Sequence, residues 1–176
     1  MIAITPEQAT FLLQYTLPSV KNEHRTTRAV IEAIPQSGAD YRPDSNSRSS
    51  LELAWHIVAA EQRFYSAVVT GAFDFTAIHR PDTVKTPAQI GEWYGASFAD
   101  NFDKFPNLSG EQLAKVLDFR GMVQAPAITW LNFSLNHVIH HRGQLSAYLR
   151  AMGGRVPAIY GESYDSAAAK AAQSQA

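Results

Sequence analysis

The stretch LNHVIHHRGQL, residues 135–145, sets three histidines within five positions of an otherwise apolar helical run. A buried imidazole carries two ring nitrogens that need partners once water is excluded, so such crowding implies something shared. Helix positions four apart differ by about 40° in direction and lie about 6 Å apart. His137 and His141 therefore project from one stripe and can turn their ring nitrogens to a common atom. His140 points about 100° away from His141 and is the spare one. Trp130, Ser134, Gln144, Leu145 and Tyr148 continue the stripe and mark it as the inward face.

Two histidines leave a metal ion under-coordinated, so a third ligand must come from another element. His56 is the candidate, on an apolar stripe between Leu53 and Ala60 in LELAWHIVAAEQRF. An inward histidine also occurs as a core residue bonded to a backbone carbonyl or a carboxylate, and that reading stands beside the metal one. His24 and His79 lie in polar or loop contexts and read as surface residues. The chain has no Cys, which removes thiolate ligation and disulfides and leaves only nitrogen and oxygen donors. A protease of the H-E-x-x-H kind needs Glu after the first histidine, and position 138 is Val. A carboxylate-bridged di-iron bundle needs Glu-x-x-His on two helices, whereas Glu52 precedes His56 by four and no such motif surrounds His137. What is left is a mononuclear site of three imidazoles, suited to Zn²⁺ or Ni²⁺ and open also to Fe²⁺ or Mn²⁺, with positions free for water or substrate.

Two polar residues are expected to serve catalysis. Glu52, one turn before His56, is placed to act as a partner carboxylate or general base, and Gln144 to hydrogen-bond a metal-bound water. Their structural alternatives are a solvated helix residue and a satisfied interior amide. Arg142 and Arg150 read either as helix charges or as anion anchors, and Trp55 and Tyr160 as pocket or core residues. Gly143 costs a helix about 1 kcal/mol relative to Ala, which suggests close approach of another segment, with the tail carrying Pro157 and Tyr160 as one possible neighbour.

The elements that must hold these residues are helices. Thr5-Pro6-Glu7-Gln8 opens the first with a hydroxyl cap, a proline at N1 and an acidic first turn, and it presents Phe11, Leu12, Tyr15, Val20, Val30 and Ile31. Pro18 should kink or split it. Residues 35–50 are rich in Pro, Ser, Asp and Asn and read as a loop ending in capping serines. The second helix covers about 50–70 and stops at Gly71. Residues 72–85, fourteen in number, can span over 40 Å at about 3.3 Å each, enough to return the chain to the end it left, so neighbouring helices need not run antiparallel. Thr86-Pro87 starts the third helix, Ser109–Gln112 caps a short one, and residues 116–124 read as extended or turn. Pro126 opens the fourth long helix, which ends at Gly153-Gly154. The expectation is an all-α four-helix bundle with long inter-helix connections, one domain over residues 1–165 and a flexible tail over 166–176.

Bulk composition narrows the partners. The 176 residues, 45% hydrophobic, suit one domain with a sizeable core. Fifteen basic against sixteen acidic residues, with no charge run, argue against nucleic acid and anionic lipid. No apolar run approaches the roughly 18 residues of a membrane span and no secretory signal is visible, so a cytoplasmic protein is expected.

The second-helix histidine in LAWHIVAAE, the run H-x-x-x-H-R-G-Q-L at 137–145 and the following LRAMGGRVPAIYG together resemble the DinB family, grouped with the YfiT-like metalloenzymes, over about residues 5–160. The resemblance implies a four-helix bundle with a three-histidine divalent metal site, His56, His137 and His141 being the ligands by position. It also implies, for members of known activity, metal-dependent transfer of low-molecular-weight thiols, and nothing in it implies DNA binding. The functional expectation is a metal-dependent thiol S-transferase or hydrolase acting on a small electrophilic substrate, with a thiol cosubstrate in the first case. The alternative is a non-catalytic, metal-stabilised bundle that works in stress response through binding or oligomerisation. Bundles of this kind often pair through helix faces, so a homodimer is expected.

Overall fold

The computed structural model describes residues 3–174. Four long helices form the body: α1 (Pro6–Glu32), α2 (Ser50–Thr70), α3 (Pro87–Phe102) and, after a five-residue helix α4 (Gly110–Ala114) and a hairpin of β1 (Val116–Phe119) with β2 (Val123–Pro126), α5 (Ala127–Ala151). A sixth helix, α6 (Tyr164–Gln173), closes the described chain. Four hydroxyl caps, Thr5, Ser49, Thr86 and Ser109, each accept the N3 amide proton and receive the reciprocal Gln or Glu contact, so the helix starts follow local chemistry. Pro18 does not split α1, which runs unbroken through it.

Side-chain pairings fix the directions. Glu32 lies against Gly91, Arg28 against Gly95 and His24 against Phe98, so α1 and α3 are antiparallel. His56 meets His141 while Phe64 meets Trp130, so α2 and α5 are antiparallel too. Glu61 with Tyr94 and Tyr65 with Phe98 make α2 and α3 parallel neighbours. The long 72–85 connection thus returns the chain to the end it left, as its length allows. Trp55 Nε1 donates to the Ile78 carbonyl at 3.0 Å and Arg63 to those of Asp74 and Thr76, tying this connection along α2.

The apolar core falls into two clusters. One, at the hairpin end, gathers Leu13, Phe64, Trp130 and Leu131 with Leu117 of β1. The other gathers Ile31, Ile57, Ile90, Leu145 and Leu149 at the opposite end. Glu23, His24, Thr27, Glu61, Ser134 and Arg142 are buried at the level between them, a polar layer across the bundle. The expected α1 stripe is corrected here: Ala9, Leu13, Val20, Thr27 and Ile31 face inward, whereas Phe11, Leu12 and Tyr15 are exposed. Residues 166–173, expected from composition to be a flexible tail, belong to α6, while 175–176 lie outside the described residues.

Candidate metal centre

Antiparallel packing of α2 on α5 sets the first half of one against the last half of the other, which brings His56 opposite His137 and His141. The rings of His56 and His141 are 4.6 Å apart, those of His56 and His137 4.9 Å, and those of His137 and His141 4.4 Å. One nitrogen from each lies within 4.8 Å of the others. His140 stays exposed on the outer side of α5, the spare residue its angle implies.

The donor chemistry fits a cation. His141 Nδ1 sits 2.7 Å from Gln144 Oε1, and an amide oxygen only accepts, so Nδ1 carries the proton and Nε2 holds a lone pair. That Nε2 is 3.2 Å from His56 Nε2. Nitrogens around a tetrahedral zinc ion, at about 2.0–2.1 Å each, stand roughly 3.3 Å apart. In the metal-free protein one ring can donate to the other, but His137 Nδ1 is buried with no hydrogen-bond partner at all. Three imidazoles with one nitrogen each in mutual reach make a donor set that a divalent cation satisfies.

Protonation favours the same reading. Burial first, and then the charge of Arg48, hold His56 down to about 4; burial and the neighbouring His141 and His56 hold His137 down to about 4. His141 is lowered by burial and partly restored by its bond to Gln144. At neutral pH all three are unprotonated and able to ligate. Each remains partly open to solvent, so room exists for a further ligand.

Several expected site residues sit elsewhere. Glu52 closes the α2 capping box: its Oε2 accepts from Ser49 N at 2.8 Å and its Oε1 from Arg42 Nη2 at 3.0 Å, so acting as a base would require leaving both. Gln144 holds the ring of His141 through its oxygen, which leaves only its amino group for a water or ligand. Arg150 pairs with Asp165, Trp55 packs at a tilt against Trp93, and a Cβ added at Gly143 would meet nothing within 4 Å, so no segment among the described residues approaches there.

The polar layer holds what the sequence misplaced. His24, read as a surface residue, is only 7% exposed; it lies 3.4 Å from Glu61 Oε1 and stacks on Phe98 with centroids 3.7 Å apart. Its spacing from Val20, Thr27 and Ile31 was the available signal, since 20, 24, 27 and 31 share one helix face. Glu61 also accepts from Tyr94 Oη at 2.8 Å. Arg142, 2% exposed, donates to Glu23 Oε2 at 2.5 Å and to Tyr160 Oη at 2.7 Å, and Tyr160 Oη in turn donates to Glu23 at 3.0 Å. Tyr160 is therefore the lid of a buried ion pair and not a wall of the metal centre. Burial, followed by the charge of Glu61, pushes both Tyr65 and Tyr94 well up.

Comparison with known proteins agrees with this architecture. The model of the DinB family matches residues 8–175. Among individual relatives, YrdA of Bacillus subtilis (strain 168) is 27% identical over 160 residues, covering 85% of this chain and 88% of that protein. Two crystal structures share the fold: a DinB-like protein from Bacillus subtilis, with TM-score 0.70, 21% identity and coverage of 84% of this chain and 99% of that one, and a DinB-like protein from Bacillus cereus ATCC 10987, with TM-score 0.70, 22% identity and coverage of 90% and 100%.

Proposed function

The chain belongs to the DinB family, and from that premise we propose that it is a metal-dependent enzyme: one divalent ion held by His56, His137 and His141 serves transfer of a low-molecular-weight thiol to, or hydrolysis of, a small electrophile. The observation that carries this reading is the convergence of one nitrogen from each of the three imidazoles to within 4.8 Å, with Nε2 of His56 and Nε2 of His141 3.2 Å apart. Zn²⁺ or Ni²⁺ suits three neutral imidazoles best, with Fe²⁺ and Mn²⁺ as further options. A divalent ion so bound lowers the pKa of a water or thiol and polarises an acceptor. The protein's own part is positional. Gln144 fixes the tautomer and plane of His141, and Leu53 with Tyr148 walls the cleft beside it. Partial exposure of all three rings favours catalysis over a purely structural ion, which would be closed off.

Metal analysis of the purified protein tests the centre: about one divalent ion per chain is expected, and none in His56→Ala. A screen with glutathione, bacillithiol and mycothiol against a model electrophile then separates the reactions. Turnover with one thiol supports transfer, turnover with water alone supports hydrolysis, and neither leaves the ion a structural role. No helix among the described residues is long and apolar enough to cross a membrane; a cytoplasmic location is part of the proposal. Exposed Phe11, Leu12 and Tyr15 on α1 are the surface through which we expect a homodimer, which sedimentation velocity checks.

A further inference from the structure

Beside the candidate metal centre lies a cleft of about 390 Å³ lined by Asn46, Arg48, Leu53, His141, Gln144 and Tyr148. Its volume is in the range of small-ligand sites, roughly 300–1,000 Å³. Its lining holds one cationic side chain, Arg48, among uncharged polar groups, of which Ser47 donates its hydroxyl proton to Asp44. Other arginines are committed: Arg25 to Asn22, Arg28 to Glu32, Arg42 to Glu52, Arg63 to the carbonyls of Asp74 and Thr76, Arg142 to Glu23 and Arg150 to Asp165. Arg48, among the described residues, has no ion pair or hydrogen bond, and it stands at the start of α2 on the rim of the cleft. Gln144 has given its oxygen to His141 and has only its NH₂ left to offer. The side chains of Asn46 and Tyr148 are likewise without partners among the described residues, and the cleft has no Asp or Glu in its lining.

Resting on the metal-centre reading, we propose that this cleft binds the carboxylate of a small organic acid through Arg48, Asn46, Gln144 and Tyr148, so that the substrate is a carboxylate-bearing electrophile whose reactive carbon is presented to the three histidines. The planar guanidinium of Arg48 can pair with both oxygens of a carboxylate, and the neutral amide and hydroxyl groups beside it can donate to the same oxygens. Leu53 and the ring of Tyr148 give the organic part an apolar wall, which a free inorganic anion would not use.

The test uses the full-length protein, zinc-loaded and metal-free, titrated with benzoate, benzamide and inorganic phosphate. Calorimetry gives affinity, and the ¹⁵N side-chain amide resonances of Asn46 and Gln144 report position. Benzoate is expected to bind both forms, to move both amide signals, and to bind about tenfold more weakly to Arg48→Gln, the loss of one charge-assisted contact. Benzamide and phosphate are expected to bind at least tenfold more weakly than benzoate. Zinc stoichiometry of Arg48→Gln should equal that of the parent protein, which separates this site from the ligands of the ion. Unchanged benzoate affinity in Arg48→Gln, still amide signals, or preference for phosphate each overturns the proposal. If the protein takes up no zinc, the metal reading fails on its own, and benzoate binding to the metal-free form still decides the cleft.

Discussion

His24 and His56 are inward histidines on long helices of the same bundle, and their surroundings make opposite demands on an imidazole. His24 is pressed between Tyr94 and Phe98 with a carboxylate on its Nδ1, one member of a layer where Glu61 and Glu23 each meet donors from other helices. His56 faces two further imidazoles and no carboxylate, and its set includes a nitrogen with no partner. His24 has a carboxylate partner within the chain, whereas the three imidazoles at His56 have one another, the set that the proposed ion would complete. The kind of partner, not burial or residue type, separates the histidine that ties the bundle together from those proposed to hold a ligand.

The contrast is broken most sharply at Arg142. Truncating it leaves Glu23 buried without its counter-charge, and Arg142→Ala is expected to cost about 3–5 kcal/mol in urea unfolding. The same truncation at half-open His56 in metal-free protein should cost about 1 kcal/mol. A small loss at Arg142, or a larger one at His56, would erase the proposed division between the two regions. At Gln144 the effect moves from stability to affinity. Gln144→Leu releases the ring of His141 and is expected to weaken metal binding about 10–100-fold by competitive chelator titration, with little change in metal-free stability.

Acid sharpens the comparison further. His56 and His137 are lowered from 6.5 to about 4 in the fold, so below pH 6.5 the unfolded chain takes up protons that the folded chain refuses. Stability of the metal-free protein from this source is present above about pH 6.5 and is lost as pH falls toward 4. Ligation itself should survive somewhat below 6.5, the value an unperturbed imidazole would set, because all three rings are held below it. Zinc content after dialysis over a pH series checks this, and loss centred at 6.5 would mean the rings are solvated as free histidine is.

Much of this was legible in the residues. The four long helices, their hydroxyl caps and the pairing of positions 137 and 141 all follow from short-range chemistry, and His56 from its place on an apolar stripe. The burial of His24 is hidden from local sequence because its neighbours, Glu23 and Arg25, are charged, while the burial depends on Tyr94 and Phe98, seventy or more positions away. The place of Glu52 one turn before His56 suggests a catalytic role, while the competing demand, capping α2, is local and visible in Ser49-x-x-Glu52. Arg48 carried no signal at all, since a single arginine in a polar loop acquires meaning only from the cleft it borders.

The smallest expected effect lies where the two regions meet. Along α5, His141 faces the metal centre, Arg142 the polar layer, Gly143 neither, and Gln144 reaches back to His141. A glycine between two such neighbours invites the reading that a bulkier residue would disturb both. The structure gives the opposite expectation, because Gly143 is exposed, is not in the left-handed region, and has open space where a Cβ would stand. Alanine there changes no contact of the centre or the layer and removes the excess backbone freedom of the unfolded glycine. Gly143→Ala should therefore raise stability by about 0.5–1 kcal/mol in urea unfolding, with metal stoichiometry unchanged. A loss instead of a gain would mean that another surface, such as a second copy of the chain, comes within a methyl group's distance of α5 at the rim of the centre.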